Sequence, residues 1–267
     1  MMLATLPMYD LPVLRGATDA WWQGLARALR SQGIEGVPER LQRGESAGDL
    51  ARRGALLIGQ CCGYDLIRNG ALLRAVATPV YDSPHCAGPE YCSVIVVAED
   101  SAAQDLAALR GGICVINGRA SHSGHTALRQ AVAPLAEGRR FFAEVLESGA
   151  HSASLEWVRS GRADCTSVDC VTYALLARHL PDTVLGLRVL ATTERAPGLP
   201  YVTAADSGPD LLARLRAGLA EALQAADLAA LRQDLLIAGF EVLPEGAYDR
   251  IREMEAAADA RSYPVLA

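Results

Sequence analysis

Lysine occurs nowhere in the 267 residues. Its absence excludes a Schiff-base lysine, a pyridoxal-phosphate enzyme and a Walker-type phosphate lysine in one step, so any bound anion must be held by backbone, hydroxyl, histidine or arginine donors. A CxxC pair is also missing. The seven cysteines are an odd number and several sit inside apolar runs, which reads as small buried hydrophobes in a reducing compartment rather than a disulfide framework. No run of about 18 apolar residues exists, so a membrane-embedded chain is not expected. The N-terminal MMLATLPMYDLP has no basic region followed by a long apolar core and reads as a first strand entering a turn. As written, the chain is expected to be soluble and cytoplasmic, with a periplasmic or exported location only if a leader is missing from it. Basic runs are absent too: 25 basic residues stand against 31 acidic ones, a net charge of -6, which speaks against a nucleic-acid partner.

The chain does have apolar residues in quantity. At 51% hydrophobic content it can bury a sizeable core, and its length suits one large or two smaller domains. Residues 3–8 read as a strand ending at Tyr9. A helix capped by Thr18 or Asp19 follows, with Trp21, Trp22, Leu25 and Leu29 at helical spacing. Strands are expected at 55–60, 72–80, 93–98, 114–117, 163–168 and 187–192, with helices between several of them. The alternation argues for an α/β architecture with mainly parallel sheets. From Pro209 onward the pattern reads as almost wholly helical. Ligands of such sheets collect at the C-terminal ends of strands, where Tyr9, residues 61–64, residues 117–123 and Asp169 fall.

The most informative stretch is 114–129, CVINGRASHSGHTALR. A short apolar strand feeds a helix through small hydroxyl residues. The first N–H groups of that helix lack internal acceptors, and aligned peptide dipoles place partial positive charge there, so an oxyanion is the natural guest. Ser121 and Ser123 add hydroxyl donors, and Gly124 allows close approach to the backbone. The plainer reading is that Ser121 or Ser123 only caps the helix. His122 and His125 are three apart, but HxxH alone is a weak metal signature; no metal and no cofactor is assigned.

The succession LPMYDLP, GQCCGYDL, TPVYDSPHCAGPEYCSVIVV, INGRASHSGHTALR, ESGAHSASLEWVRSGRADCTSVDCVTYALL and RVLATTERAPGLPYVT resembles the phosphate, phosphite and phosphonate substrate-binding proteins of ABC transporters, the PhnD-like group. The resemblance spans roughly residues 3–203. It implies a type II periplasmic-binding-protein fold, two α/β lobes joined by crossover strands near 91–93 and 192–200. Lobe 1 would comprise 1–91 and 193–267 with the C-terminal helices, and lobe 2 would comprise 92–192.

Residue by residue, the resemblance implies that Ser121, Ser123 and Gly124 cradle a phosphorus–oxygen head, with His125 standing where many relatives have tyrosine. His151 and Asp169 match residues directed at the ligand, and Tyr9, Tyr64 and Tyr91 would close on it from the opposite lobe. Arg119 and Ala120 depart from the acidic residue expected before the serines. The chemistry is coherent in its own right: hydroxyls and amides hold oxygens, Asp169 accepts from a protonated oxygen or pairs with an amine, and His151 supplies charge near neutral pH. A carboxylate beside a dianion is repelled, so a monoanion or zwitterion is preferred. Each residue also has a plainer reading: Asp169 as a helix N-cap, the histidine as hydrogen-bonded structure, the tyrosines as half-buried packing.

The function expected is binding of a small phosphorus oxyanion for uptake by lobe closure, with an ABC permease as partner and no enzymatic turnover. Two other classes stand beside it. One is an enzyme on the same scaffold using Cys61 or Cys62 as nucleophile with His151 or Asp169 as base. The other is a cytosolic anion sensor.

Overall fold

A computed structural model describes residues 1–267, which fall into two compact units. The chain opens in the first with β1 (Leu3–Thr5), α1 (Arg15–Ser31), α2 (Ala47–Arg52), β2 (Leu56–Gln60), α3 (Gly63–Arg68) and β3 (Leu73–Tyr81). Through β4 (Glu90–Tyr91) it enters the second unit. There follow β5 (Ser93–Ala98), β6 (Ile113–Ile116), α4 (Ala127–Ala136), β7 (Glu144–Glu147), α5 (His151–Arg159), β8 (Cys165–Asp169), α6 (Cys170–His179) and β9 (Leu187–Thr192). Past β10 (Ala196–Pro197) the first unit resumes with β11 (Tyr201–Ala204), α7 (Pro209–Gln224), α8 (Ala229–Asp234) and β12 (Ile237–Glu241), before α9 (Asp249–Ala260) closes the chain in the second.

In the first unit a five-stranded sheet runs β1-β2-β11-β3-β12. β1 and β2 are parallel, whereas β11 runs against both β2 and β3, and β12 against β3. Every residue of β2 (LLIGQ) is buried, as expected of a strand covered on both faces. On α1 the stripe Trp21, Trp22, Leu25 and Leu29 faces inward, all at 1% exposure or less. Close packing of α1 on α7 depends on small residues. A Cβ placed on Gly218 would lie 2.6 Å from Leu29 Cδ2, so the helices meet where one has no side chain.

The second unit's sheet runs β7-β6-β8-β5-β9. β6 is parallel to both β7 and β8, while β5 runs against β8 and β9. The mainly parallel sheets expected from the alternation are therefore mixed. In each unit one central strand, β11 or β5, follows shortly after the chain passes from the other unit and runs against its neighbours, a direction that helix–strand alternation does not encode.

Two further expectations are corrected. Residues 237–241 form β12 and not helix. The LIAGFE segment follows Leu228, Leu231 and Leu235 without a break in apolarity, but Leu236 at φ 57° ends the helical path and Ile237 pairs with Tyr81 on β3. The C-terminal helix belongs to the second unit: 248–267 group with 90–196, where the first-lobe boundary had placed them otherwise. The reason is packing. Ala258, Tyr263 and Leu266 are buried in the same cluster as Ile95, Ile116 and Phe141. Arg129 on α4, 4% exposed, donates to Asp259 Oδ1 (2.6 Å), to the Tyr263 carbonyl (3.0 Å) and to the Glu255 carbonyl (3.1 Å).

Candidate functional site

Three parallel strands of the second unit, β6, β7 and β8, each lead toward a helix at the same edge of the sheet, their C-terminal edge. β6 delivers the turn at 117–126 and α4, β7 delivers α5 with His151 as its first residue, and β8 delivers α6 behind Asp169. Three helix starts on one edge concentrate open N–H groups and the positive ends of peptide dipoles there.

The first of these starts is a π-helical turn, His122–Thr126, continuing into α4. Ser121 caps it, its Oγ accepting from the Gly124 amide at 3.0 Å, so the plain capping role is real for this serine. The amides of His125 and Thr126 both donate to the Ser121 carbonyl (3.3 and 3.2 Å). Those of His122 and Ser123 stand at the mouth of the turn with no acceptor within it. Two hydroxyls pin the turn from beneath: Ser93 Oγ on β5 and Ser167 Oγ on β8 both donate to the Ser123 carbonyl, at 2.8 and 2.7 Å. A π-bulge of this kind is a frequent mark of a functional position.

Ser123 Oγ lies 3.1 Å from His151 Nε2 and 3.4 Å from Ser121 Oγ, so two hydroxyls and an imidazole converge at one point. Around them are buried polar atoms with no hydrogen-bond partner: His122 Nδ1, His151 Nδ1 and Asn117 Oδ1. Burial alone pushes His122 and His151 down to about 4, and burial with Arg129 and Arg119 nearby does the same for His125. The expected charge on His151 near neutral pH is thus absent from the protein by itself, because the ring is desolvated and faces no carboxylate. Arg119 supplies no free cation either, being paired with Glu147 at 2.9 Å on the surface. The three helix starts and the hydroxyl protons give this edge its electropositive character.

Gly124 is required by a neighbour. A Cβ there would sit 1.9 Å from Asn117 Oδ1 and 3.4 Å from Ser121 Oγ. Asp169, 2% exposed, caps α6, with Oδ1 accepting from the amides of Val171 (2.8 Å) and Thr172 (2.9 Å). In the β5–β8 register it stands opposite Ser93, whose hydroxyl holds the Ser123 carbonyl.

Of the sequence-predicted residues, Ser121, Ser123, Gly124 and His151 are brought into mutual contact, and His125 lies on the same turn. Tyr91 falls in the second unit and not the first, its ring packed 6.1 Å from that of His122, because the chain enters this unit at Glu90. Tyr9 and Tyr64 belong to the first unit. Tyr9 is buried edge-on against Tyr81 (5.0 Å) beside a small pocket that Gln60, Trp21 and Tyr201 also line, and Tyr64 carries the Arg68 guanidinium over its ring. Sequence reasoning missed Ser93 and Ser167. Ser93 opens the otherwise apolar strand SVIVVA and stands out there, whereas Ser167 sits between Thr166 and Val168 in CTSVD, where a hydroxyl carries no distinct signal.

A family model described as the periplasmic substrate-binding protein of phosphonate ABC transporters matches residues 18–248. No curated protein matches the chain. Among solved structures, PhnD1 from Prochlorococcus marinus in complex with methylphosphonate aligns at TM-score 0.76 and 14% identity, covering 97% of this chain and 98% of that one. A binding protein component of the ABC phosphonate transporter from Pseudomonas aeruginosa aligns at 0.75 and 16%, covering 97% and 87%. XAC2383 from Xanthomonas citri, bound to chloride ion, aligns at 0.73 and 16%, covering 97% and 98%. At these identities the likeness is one of fold.

Proposed function

Because this chain belongs to the family of periplasmic substrate-binding proteins of phosphonate ABC transporters, we propose that it binds a small phosphonate or related phosphorus oxyanion and hands it to a permease. The observation that carries the reading is the convergence of Ser121, Ser123 and His151 on the open start of the 121–126 turn, in a chain with no lysine to do the work otherwise. The His122 and Ser123 amides and the two hydroxyls take the phosphoryl oxygens, and His151 donates through whichever nitrogen its tautomer protonates. His125 and Tyr91 border the head group. Tyr9 and Tyr64 of the first unit are further candidate ligand contacts. Donors that are all uncharged favour a monoanion, with Asp169 accepting from a protonated oxygen or an ammonium on the ligand.

Turnover is not part of this reading. Burial pushes the Cys61 thiol up, away from the thiolate a nucleophile needs, and the family is one of transport. The family's compartment is the periplasm, and we place this chain's work there as well, in preference to the cytoplasm.

Calorimetry against methylphosphonate, aminoethylphosphonate, phosphite and phosphate tests the proposal. Ser123→Ala removes one charge-assisted hydrogen bond and is expected to weaken the best ligand roughly tenfold to a hundredfold. Asp169→Asn keeps an N-cap acceptor and so separates binding from helix stability. Parent-like affinity for every anion in both variants overturns the assignment of this edge.

A further inference from the structure

Three thiols of the second unit converge outside the anion-holding turn. Cys170 is the first residue of α6, and its Sγ lies 3.7 Å from Cys86 Sγ. Cys92 is the third: its carbonyl accepts from the Cys170 amide at 3.1 Å, and its thiol reaches the His85 carbonyl at 3.6 Å. Cys92 and Cys170 are buried at 5% and 1% exposure, whereas Cys86 is partly open to solvent. A helix start favours a thiolate, and the contacts with Cys86 and Cys92 hold the proton affinity of Cys170 well below the usual thiol range. The same contacts raise Cys86 and Cys92.

The contrast with the chain's other close thiols is informative. Cys114 and Cys165 are register partners on β6 and β8 and also meet, but both lie at 1% exposure or less within the core, and the Cys165 contact and burial push Cys114 up. Only the Cys86 pair combines contact, a solvent entry and a helix-start thiol. The family's compartment, moreover, is one in which disulfides form and persist.

We propose that Cys86 and Cys170 are a disulfide-forming pair, closed by exchange with a small-molecule or protein disulfide. The Cys86 thiolate attacks the reagent RSSR, forming Cys86–S–S–R and releasing RS⁻, which takes up the proton Cys86 gave up. The Cys170 thiolate then attacks the Cys86 sulfur and expels the second RS⁻, which takes a proton from solvent to complete the second RSH. Two protein thiols are oxidised, and one reagent disulfide is reduced to two thiols. Because the Cys86 proton is held tightly, entry is slow and closure fast, so the mixed disulfide does not accumulate in the parent. The bond ties residues 83–86, a short piece of the second unit flanked in sequence by Asp82 and Ala87 of the first, to the start of α6 beside Asp169.

The test uses the full chain, reduced and then incubated with oxidised glutathione, acid-quenched, alkylated under denaturing conditions and mapped by mass spectrometry. The expected result is that two of the seven thiols escape alkylation and that a Cys86–Cys170 cross-linked peptide is found. Cys170→Ser should instead trap glutathione on Cys86, and Cys86→Ser, a change at a partly open position, should leave all six remaining thiols alkylated. Seven alkylated thiols in the oxidised parent, a cross-link mapping to any other pair, or loss of two thiols in Cys86→Ser each overturns the proposal. None of these readouts depends on which ligand the protein binds.

Discussion

Gly124→Ala isolates how the 121–126 turn, proposed above to hold the anion, is kept in shape. The glycine has no positive φ to justify it, so its role is steric. The new methyl would start 1.9 Å from Asn117 Oδ1, which must retreat by roughly 1.5 Å to reach ordinary contact. On stability the terms nearly cancel: alanine gains up to about 1 kcal/mol over glycine in a helix, and an off-rotamer asparagine costs about 0.5–1.5 kcal/mol. Binding has no such offset. A shift of that size in the turn or in the amide wedged beside it would take the His122 and Ser123 donors out of hydrogen-bonding distance of the anion they are proposed to hold. One such bond lost is about 1.5–3 kcal/mol, or roughly tenfold to a hundredfold in Kd. Calorimetric Kd values with methylphosphonate, beside urea midpoints, read both effects. Asn117→Ala removes the obstacle, so Asn117→Ala/Gly124→Ala should bind about as Asn117→Ala does, with a coupling of at least ~1 kcal/mol in the cycle. If Gly124→Ala binds like the parent, or the two changes simply add, the wedge is not what requires a glycine there.

Two other perturbations test the frame around the turn. Arg129→Met removes a buried guanidinium that bonds to two carbonyls and Asp259, and is expected to destabilise the second unit by about 2–4 kcal/mol in urea denaturation. Because Asp259 is largely exposed, Asp259→Asn should cost well under 1 kcal/mol, and equal costs would show that the ion pair and not carbonyl anchoring holds α9. His122, pushed down to about 4 from 6.5 by burial, binds fewer protons folded than unfolded between those values. Its contribution is therefore intact above pH 6.5 and is lost as pH falls toward 4, by about 2–4 kcal/mol at most. His122→Gln should shrink the fall in urea midpoint between pH 7 and pH 4.5; an unchanged fall would mean that this ring does not titrate as its burial implies.

Much of this arrangement was legible in the sequence, and the parts that were not share a cause. A strand, a small-residue turn and a helix can be read from CVINGRASHSGHTALR because each signal is local: apolar run, glycine, hydroxyl cap. The π-bulge cannot, since it is set by Ser93 and Ser167 reaching the Ser123 carbonyl from strands about 30 and 44 residues away. α9 shows its stripe of Ile251, Met254 and Ala258, yet nothing in a stripe says which sheet it covers. That is decided by Arg129, a charged residue on an otherwise apolar helix face. β12 was hidden for the same reason, as a short apolar segment takes its conformation from the strand beside it. Tyr91 was placed on the wrong side of a boundary that the chain crosses only one residue earlier.

The missing lysine gains its meaning from the histidines. A site that holds an anion with ammonium groups gains Coulomb energy with each charge on the guest, so it favours the more highly charged species. Here the three ring systems along the turn and at α5 are kept neutral by burial, and the two arginines near His125 are paired, Arg119 with Glu147 and Arg129 with Asp259. Fixed dipoles and hydroxyl protons remain, and these reward geometry and protonation state more than total charge. Desolvating a dianion against such donors costs more than they return, whereas a monoanion leaves one oxygen protonated for an acceptor such as Asp169. On this argument, affinity for a phosphonate should rise as pH drops below the ligand's second ionisation, until protonation of the carboxylate or acid loss of the fold intervenes. A lysine-lined pocket would show the opposite trend, and calorimetry between pH 6 and 8 distinguishes the two.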